Sequence, residues 1–252
     1  MQAMSWADYK DRVRRYFPFS QTEWKNFLIL VAVFAFMWSF TQWGETQFDA
    51  RAGAKNFIIA FLMIGASVFV HHAGQRLAGL WHGYRVEHKL WWAGLLAGLL
   101  ALMLTNGRVL IFAASAMQAH FMPYHRLGAH RYGPSLRQIG TTAFAGPIAA
   151  VVVAFALWAI TQTPFFSDML LFNLLFALYS VLPIPPLDGF HVFVGARTSY
   201  GSSFAYTFTV SAFIGFFLVY FLAGLGVFWS LLLALLIGLF GWFAFDVLVE
   251  KR

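Results

Sequence analysis

With no cysteine among its 252 residues, this chain has no thiolate for metal binding or nucleophilic attack, and no disulfide framework. A reactive or ligating centre must therefore be built from histidine, carboxylate, amide or hydroxyl groups. Two short segments concentrate such groups in apolar sequence. The first, VFVHHAGQRLAG, sets His71 beside His72. On a helix His71 and Gln75 share a face, while His72 points about 100° away. The second, VLPIPPLDGFHVF, contains Pro183, Pro185 and Pro186, followed by Asp188 and, three residues on, His191. Prolines lack an N–H and fix φ, so regular helix fails there. A carboxylate beside a broken, apolar-flanked backbone is the strongest site signal in the chain.

The elements that hold these groups follow from composition. Hydrophobic residues make up 60% of the chain and charged residues 11%, and the mean hydropathy is +0.69. Soluble domains carry about 25% charged residues, so an ordinary soluble enzyme is excluded. The 17 Lys and Arg against 10 Asp and Glu are too sparse for a phosphate-binding stripe, and no nucleic acid is expected as a partner. The expected class is an all-α polytopic membrane protein with about six to eight spans. Runs of roughly 20 apolar residues lie at about 26–43, 56–80, 139–162, 166–186, 204–222 and 226–248. The stretch 90–122 is broken by Asn106-Gly107-Arg108 and reads as a helical hairpin or a re-entrant element. Between 90 and 138 a short β hairpin or a re-entrant element is expected.

Residues 1–25 form a basic leader in which Trp6, Tyr9, Val13 and Tyr16 recur at helical spacing, as in a helix lying on anionic lipid. Residues 26–55 supply a first span and external loop, 56–195 a core, and 196–252 two further spans. The positive-inside rule places both termini in the cytoplasm, with Arg76, Arg85 and Lys89 counted as loop charges on that side. His71 and Asp188 then lie at one depth and can share a site. Ionisable groups at the bilayer centre cost at least ~2.5 kcal/mol, so they face a partner or a wet cavity. His82 and His88 read as interfacial loop, and His120, His125 and His130 as weak metal candidates around a Gly-rich loop. Gly146 and Pro147, in AGPIAA, suit close helix packing.

These patches resemble the site-2 protease family of intramembrane zinc metalloproteases. The resemblance rests on HHAGQ at 71–75, AGPIAA at 145–150, LPIPPLDGF at 182–190 and VEHKLWWAGLLAGLL between them, and covers about 60–195. It implies a helical bundle in which two histidines of HExxH and a later Asp hold zinc, and the Glu acts as base. His71 and Asp188 keep the first and last ligand positions; His72 replaces the Glu and Gln75 the second His. The family's two substrate-positioning Asn residues align with Ala150 and Ser180, near Pro183, and Asn173 is out of register. Losing the base alone costs about 10²–10⁴-fold in rate, and zinc prefers His, Cys and carboxylate over a neutral amide. The expected protein is a pseudoprotease without a cofactor, embedded in the bilayer of the cell membrane and binding a transmembrane helix of another protein or a membrane complex. Two alternatives stand beside it. One is an active enzyme with zinc on His71, Asp188 and His191 and His72 as base; the other is a non-catalytic accessory subunit.

Overall fold

The structure is a computed structural model; it describes residues 5–44, 47–122, 135–161, 163–196, 200–217, 219–220, 224–245 and 247. His125 and His130 lie outside them. Two amphipathic or half-polar helices come first: α1 (Trp6–Tyr16), then α2 (Gln21–Ser39). Ser20 and Glu23 close a reciprocal capping box on α2, which satisfies two otherwise orphaned backbone donors. The long helix α3 (Ala50–His82) follows, N-capped by Asp49 and ended by Gly83 at φ 88°. A left-handed residue at this position favours glycine, which has no Cβ to clash.

Two strands, β1 (Tyr84–Leu90) and β2 (Ser115–Phe121), pair antiparallel, with His88 opposite Met117 and Leu90 opposite Ser115. One strand thus falls inside the expected 90–138 stretch and its partner just before it. Between them α4 (Trp92–Leu104) runs out and an extended segment, 109–114, returns. The second limb is therefore not helical, in contrast to a helical hairpin. Asn106 at φ 52° and Gly107 at φ 82° make the reversal. That turn rests on the far end of α2, because a Cβ on Gly107 would meet Phe40 Cδ1 at 3.2 Å.

The remaining elements are α5 (Leu136–Thr161), α6 (Pro164–Val181), α7 (Asp188–Ala196), α8 (Tyr200–Phe217) and α9 (Val227–Phe245). The prolines at 183, 185 and 186 fall in the break between α6 and α7. Three described helices are long and apolar enough to cross a membrane: Ala50–His82, Leu136–Ile160 and Pro164–Val181. The described apolar parts of the last two helices, Tyr206–Phe216 and Leu232–Ala244, are shorter. Glu23 and Lys25 open α2, which is not among the three. A core of Val31, Phe34, Ile64, Val68, Phe172 and Phe176 joins α2, α3 and α6. Phe112 from the extended return enters it, with its ring 5.1 Å from Phe34 and 5.0 Å from Phe172. This apolar mass holds α3 rigidly against its neighbours, and the polar residues of α3 lie at its margin.

Candidate functional site

His71 and His72 leave α3 in different directions, as consecutive helical residues must. His71 turns toward α6 and α7, and its Nε2 lies 3.0 Å from Asp188 Oδ2. The Phe176 ring packs 4.7 Å from it. Both partners are fully buried. Asp188 opens α7, where the N-terminal end of the helix dipole favours a carboxylate. Gly189 behind it packs so tightly on the end of α6 that any Cβ would strike the Val181 carbonyl. Residues 117 positions apart in sequence are thus brought together by the proline break that turns the chain after α6. His71 Nδ1 and Asp188 Oδ1 have no hydrogen-bond partner among the described residues.

His72 points about 100° around α3 from His71, toward the sheet and α2. Its Nε2 lies 3.0 Å from Ser115 Oγ, and its ring stacks on His88 with centroids 3.7 Å apart. His88 is 4% exposed, which corrects its assignment to an interfacial loop. The alternation of β1 turns it inward while Glu87 and Lys89 face out. Burial holds the His88 imidazole well below its ordinary pKa of 6.5, with lesser contributions from His72, Arg76 and His71. No feature of the sequence around His88 marked it; only the strand pairing does.

Gln75 is tied at both ends. Its Oε1 accepts from His88 Nε2 at 2.8 Å and its Nε2 donates to the Ala143 carbonyl at 2.9 Å. The second bond has a specific cause. Pro147 lies inside α5 and has no N–H, so the carbonyl four residues earlier, that of Ala143, lacks its usual helical donor. A neighbouring helix can supply one, and Gln75 does. Gly146 makes this approach possible: a Cβ there would lie 2.7 Å from Gln75 Cγ and 2.8 Å from His71 Cδ2 and Nε2.

The other expected residues stand apart from this centre. Ala150 is buried, Ser180 bonds back to the Ala177 carbonyl at 3.0 Å, and Pro183 is exposed. Asn173 binds Ser67 Oγ at 2.8 Å, one helical turn before His71. His191 is half-buried beside Phe190 and does not join His71 and Asp188: among the described residues no three His, Asp or Glu are grouped to hold a metal. His120 is exposed, 3.8 Å from Glu87, and His82 meets Thr141.

Arg76 is a further correction. It is not a loop charge but a buried residue of α3, paired with Glu23 of α2. Its Nη1 donates to the Phe17 and Pro18 carbonyls at 2.6 and 2.9 Å, and its guanidinium lies 4.0 Å from the Phe19 ring centroid. Glu23 also accepts from the backbone N–H of His88 and of Ser20. Burial raises the Glu23 pKa, but Arg76 and the two backbone donors outweigh it and hold the carboxyl below its ordinary value.

No family model matches the chain, and no solved structure matches it. Among curated proteins, one from Methanocaldococcus jannaschii named "Putative zinc metalloprotease" is 26% identical over 182 residues, which is 69% of this chain and 84% of that protein. This likeness is consistent with the site-2 protease family. Together with the three apolar helices, it fits a membrane protease-like protein.

Proposed function

We propose that this chain is an integral membrane protein built on the site-2 protease frame, which binds transmembrane segments of a partner without cleaving them. The observation that carries this reading is Gln75. It occupies the position where the family has its second zinc histidine, and both ends of its amide serve the fold, one on His88 and one on Ala143. His72, where the family has its general base, is likewise held by Ser115 and the His88 ring. His71 and Asp188 supply two ligands, whereas a catalytic zinc site takes three protein ligands and an open position. The donor set therefore does not fit the zinc centre of an active relative, and no hydrolytic step is derived through it.

A frame of six to eight spans with both termini cytoplasmic completes the proposal, supported by the apolar runs and the Lys and Arg bias. What such a frame retains is close packing of α3 on α5, where Gly146 admits His71 and Gln75. Elemental analysis of purified, unchelated protein, beside Asp188→Ala, is the first test. The expected result is no stoichiometric zinc that depends on Asp188. Co-expression with a helical membrane substrate is the second; cleavage that Asp188→Ala abolishes would overturn the proposal.

A further inference from the structure

The bundle end that carries Arg76 and the sheet also holds an open cleft of about 230 Å³ between the start of α2 and β1. A single water needs only about 10–15 Å³, so the cleft has room for a small polar group. Ser20, Thr22, Asn26, Trp92, Glu87 and Lys89 border it. Hydroxyl, amide and indole groups can all donate to an anion, and Ser20 Oγ, which accepts from the Glu23 N–H, keeps its own proton to give. Glu23 borders the cleft too, but Arg76 already meets its charge.

Glu87 and Lys89 therefore set the electrostatics. They stand two apart on β1 and face the same way, about 6.6 Å apart along the strand. Lys89 is exposed and has no acidic partner among the described residues. Glu87 pairs with Arg85 at 3.2 Å, both partly exposed, and such a surface pair holds weakly. A ligand with an anion and a cation a few ångströms apart would meet both residues.

The surroundings are those of a membrane surface. Trp24, Trp81 and Trp92 are all exposed, near the start of α2, the end of α3 and the start of α4. Tryptophans collect at headgroup depth. Away from the cleft α2 and α4 run side by side in one direction: a Cβ on Gly98 would lie 3.1 Å from Met37 Cε, and the turn after α4 reaches Phe40. Both helices expose apolar side chains over that length, Leu28 and Ile29 on α2 and Leu96, Leu100 and Met103 on α4. The last three recur at i, i+4 and i+7 and make one stripe. A polar cleft that gives onto exposed apolar helices suits a headgroup followed by acyl chains.

We propose that the α2–β1 cleft binds the headgroup of a zwitterionic phospholipid of the phosphoethanolamine class. Its phosphate meets Lys89, Asn26 and the Ser20 and Thr22 hydroxyls, its ammonium meets Glu87, and its chains follow α4. A purely anionic headgroup would leave Glu87 opposed, and a quaternary choline has no N–H to give it. The inference rests on the chain lying in a bilayer; zinc content and peptide cleavage have no bearing on it.

Native mass spectrometry of the full-length protein in detergent tests this. Phosphatidylethanolamine, phosphatidylcholine and phosphatidylglycerol with the same acyl chains are added in turn, and then water-soluble glycerophosphoethanolamine. Phosphatidylethanolamine is expected to be held most tightly. Lys89→Gln should weaken it about tenfold, the loss of one charge-assisted hydrogen bond. Glu87→Gln should remove the preference for ethanolamine over choline and leave phosphatidylcholine binding unchanged. Lys25→Gln, at an exposed cation of α2 that does not border the cleft, should change neither. Equal weakening by Lys89→Gln and Lys25→Gln overturns the proposal, because general attraction to positive charge then explains the binding. Absence of a preference for phosphatidylethanolamine in the unaltered protein overturns it as well. Binding of glycerophosphoethanolamine as tight as that of the lipid overturns the lipid source and assigns the cleft to a soluble phosphate ester.

Discussion

Two buried pairs of oppositely ionising groups sit about one turn apart on α3 and are built in opposite ways. Arg76 and Glu23 are surrounded by partners: the connector carbonyls, the Phe19 face, and the backbone donors of Ser20 and His88. His71 and Asp188 have each other, an aromatic ring and little else, and each keeps an unpartnered polar atom. Both pairs carry a desolvation cost, but the first recovers far more of it through hydrogen bonds, with Arg76 Nε its one buried atom without a partner among the described residues. The richly bonded pair joins α1, α2, α3 and β1 into one end of the bundle. The bare pair joins α3 to α7 and leaves donor and acceptor capacity available for a ligand, which is the condition a binding centre needs.

The largest effect is expected from breaking the richly bonded pair. Arg76→Met leaves Glu23 buried without its cation and should cost about 3–5 kcal/mol, read as a fall in the thermal unfolding midpoint in detergent. If Asp188→Asn proves equally damaging, the contrast between the two pairs is wrong. Next comes Gly146→Ala. The new methyl would press on Gln75 and His71 at 2.7 and 2.8 Å, an overpacking penalty of about 1–3 kcal/mol, and it should disturb the His71–Asp188 contact and the Gln75–His88 bond together. Asp188→Asn should cost only about 1 kcal/mol, because the amide keeps the shape and one acceptor for His71. Its effect should appear instead as weaker capture of a transmembrane partner in cross-linking.

Acidification sharpens the comparison with the smallest effect near neutrality. His88 is held neutral in the fold, so its folded pKa lies below 6.5 and the unfolded chain binds the proton first. That contribution is complete above pH 6.5 and declines as the pH falls below it toward the folded value. Glu23, also depressed, adds stability above its ordinary value of 4.5, lost as the pH falls through its folded value. Stability measured between pH 8 and pH 5, taken as about neutral to mildly acid, should therefore fall on acidification, and His88→Gln should flatten that slope. A slope unchanged in His88→Gln would place the titration elsewhere.

Much of the frame was legible without coordinates. Long apolar runs fix α3, α5 and α6 because roughly 20 such residues have few other stable arrangements. Pro183, Pro185 and Pro186 end α6 because none of them can donate to a helix. The 3.6-residue period sends His71 and His72 apart, and this is how they point. Segment ends were less accurate: the break at Asn106 reads equally as a helical hairpin or a re-entrant loop, and it proves to be a helix with an extended return.

The sequence by itself determined that the chain lacks thiol chemistry, is largely apolar, and carries ionisable residues next to a proline break. Tertiary structure alone decided their partners. That Glu23 meets Arg76, 53 residues away, or that Gln75 caps the carbonyl freed by Pro147 on another helix, depends on helix crossings a few ångströms wide. His88 became part of the centre because its strand pairs in one register and not the next, and a shift of one residue would turn it to the outer face. Apolar periodicity is a local, repeated signal that survives errors at single positions. A hydrogen bond between distant side chains is one event with no repeat, and it exists only once the chain has packed.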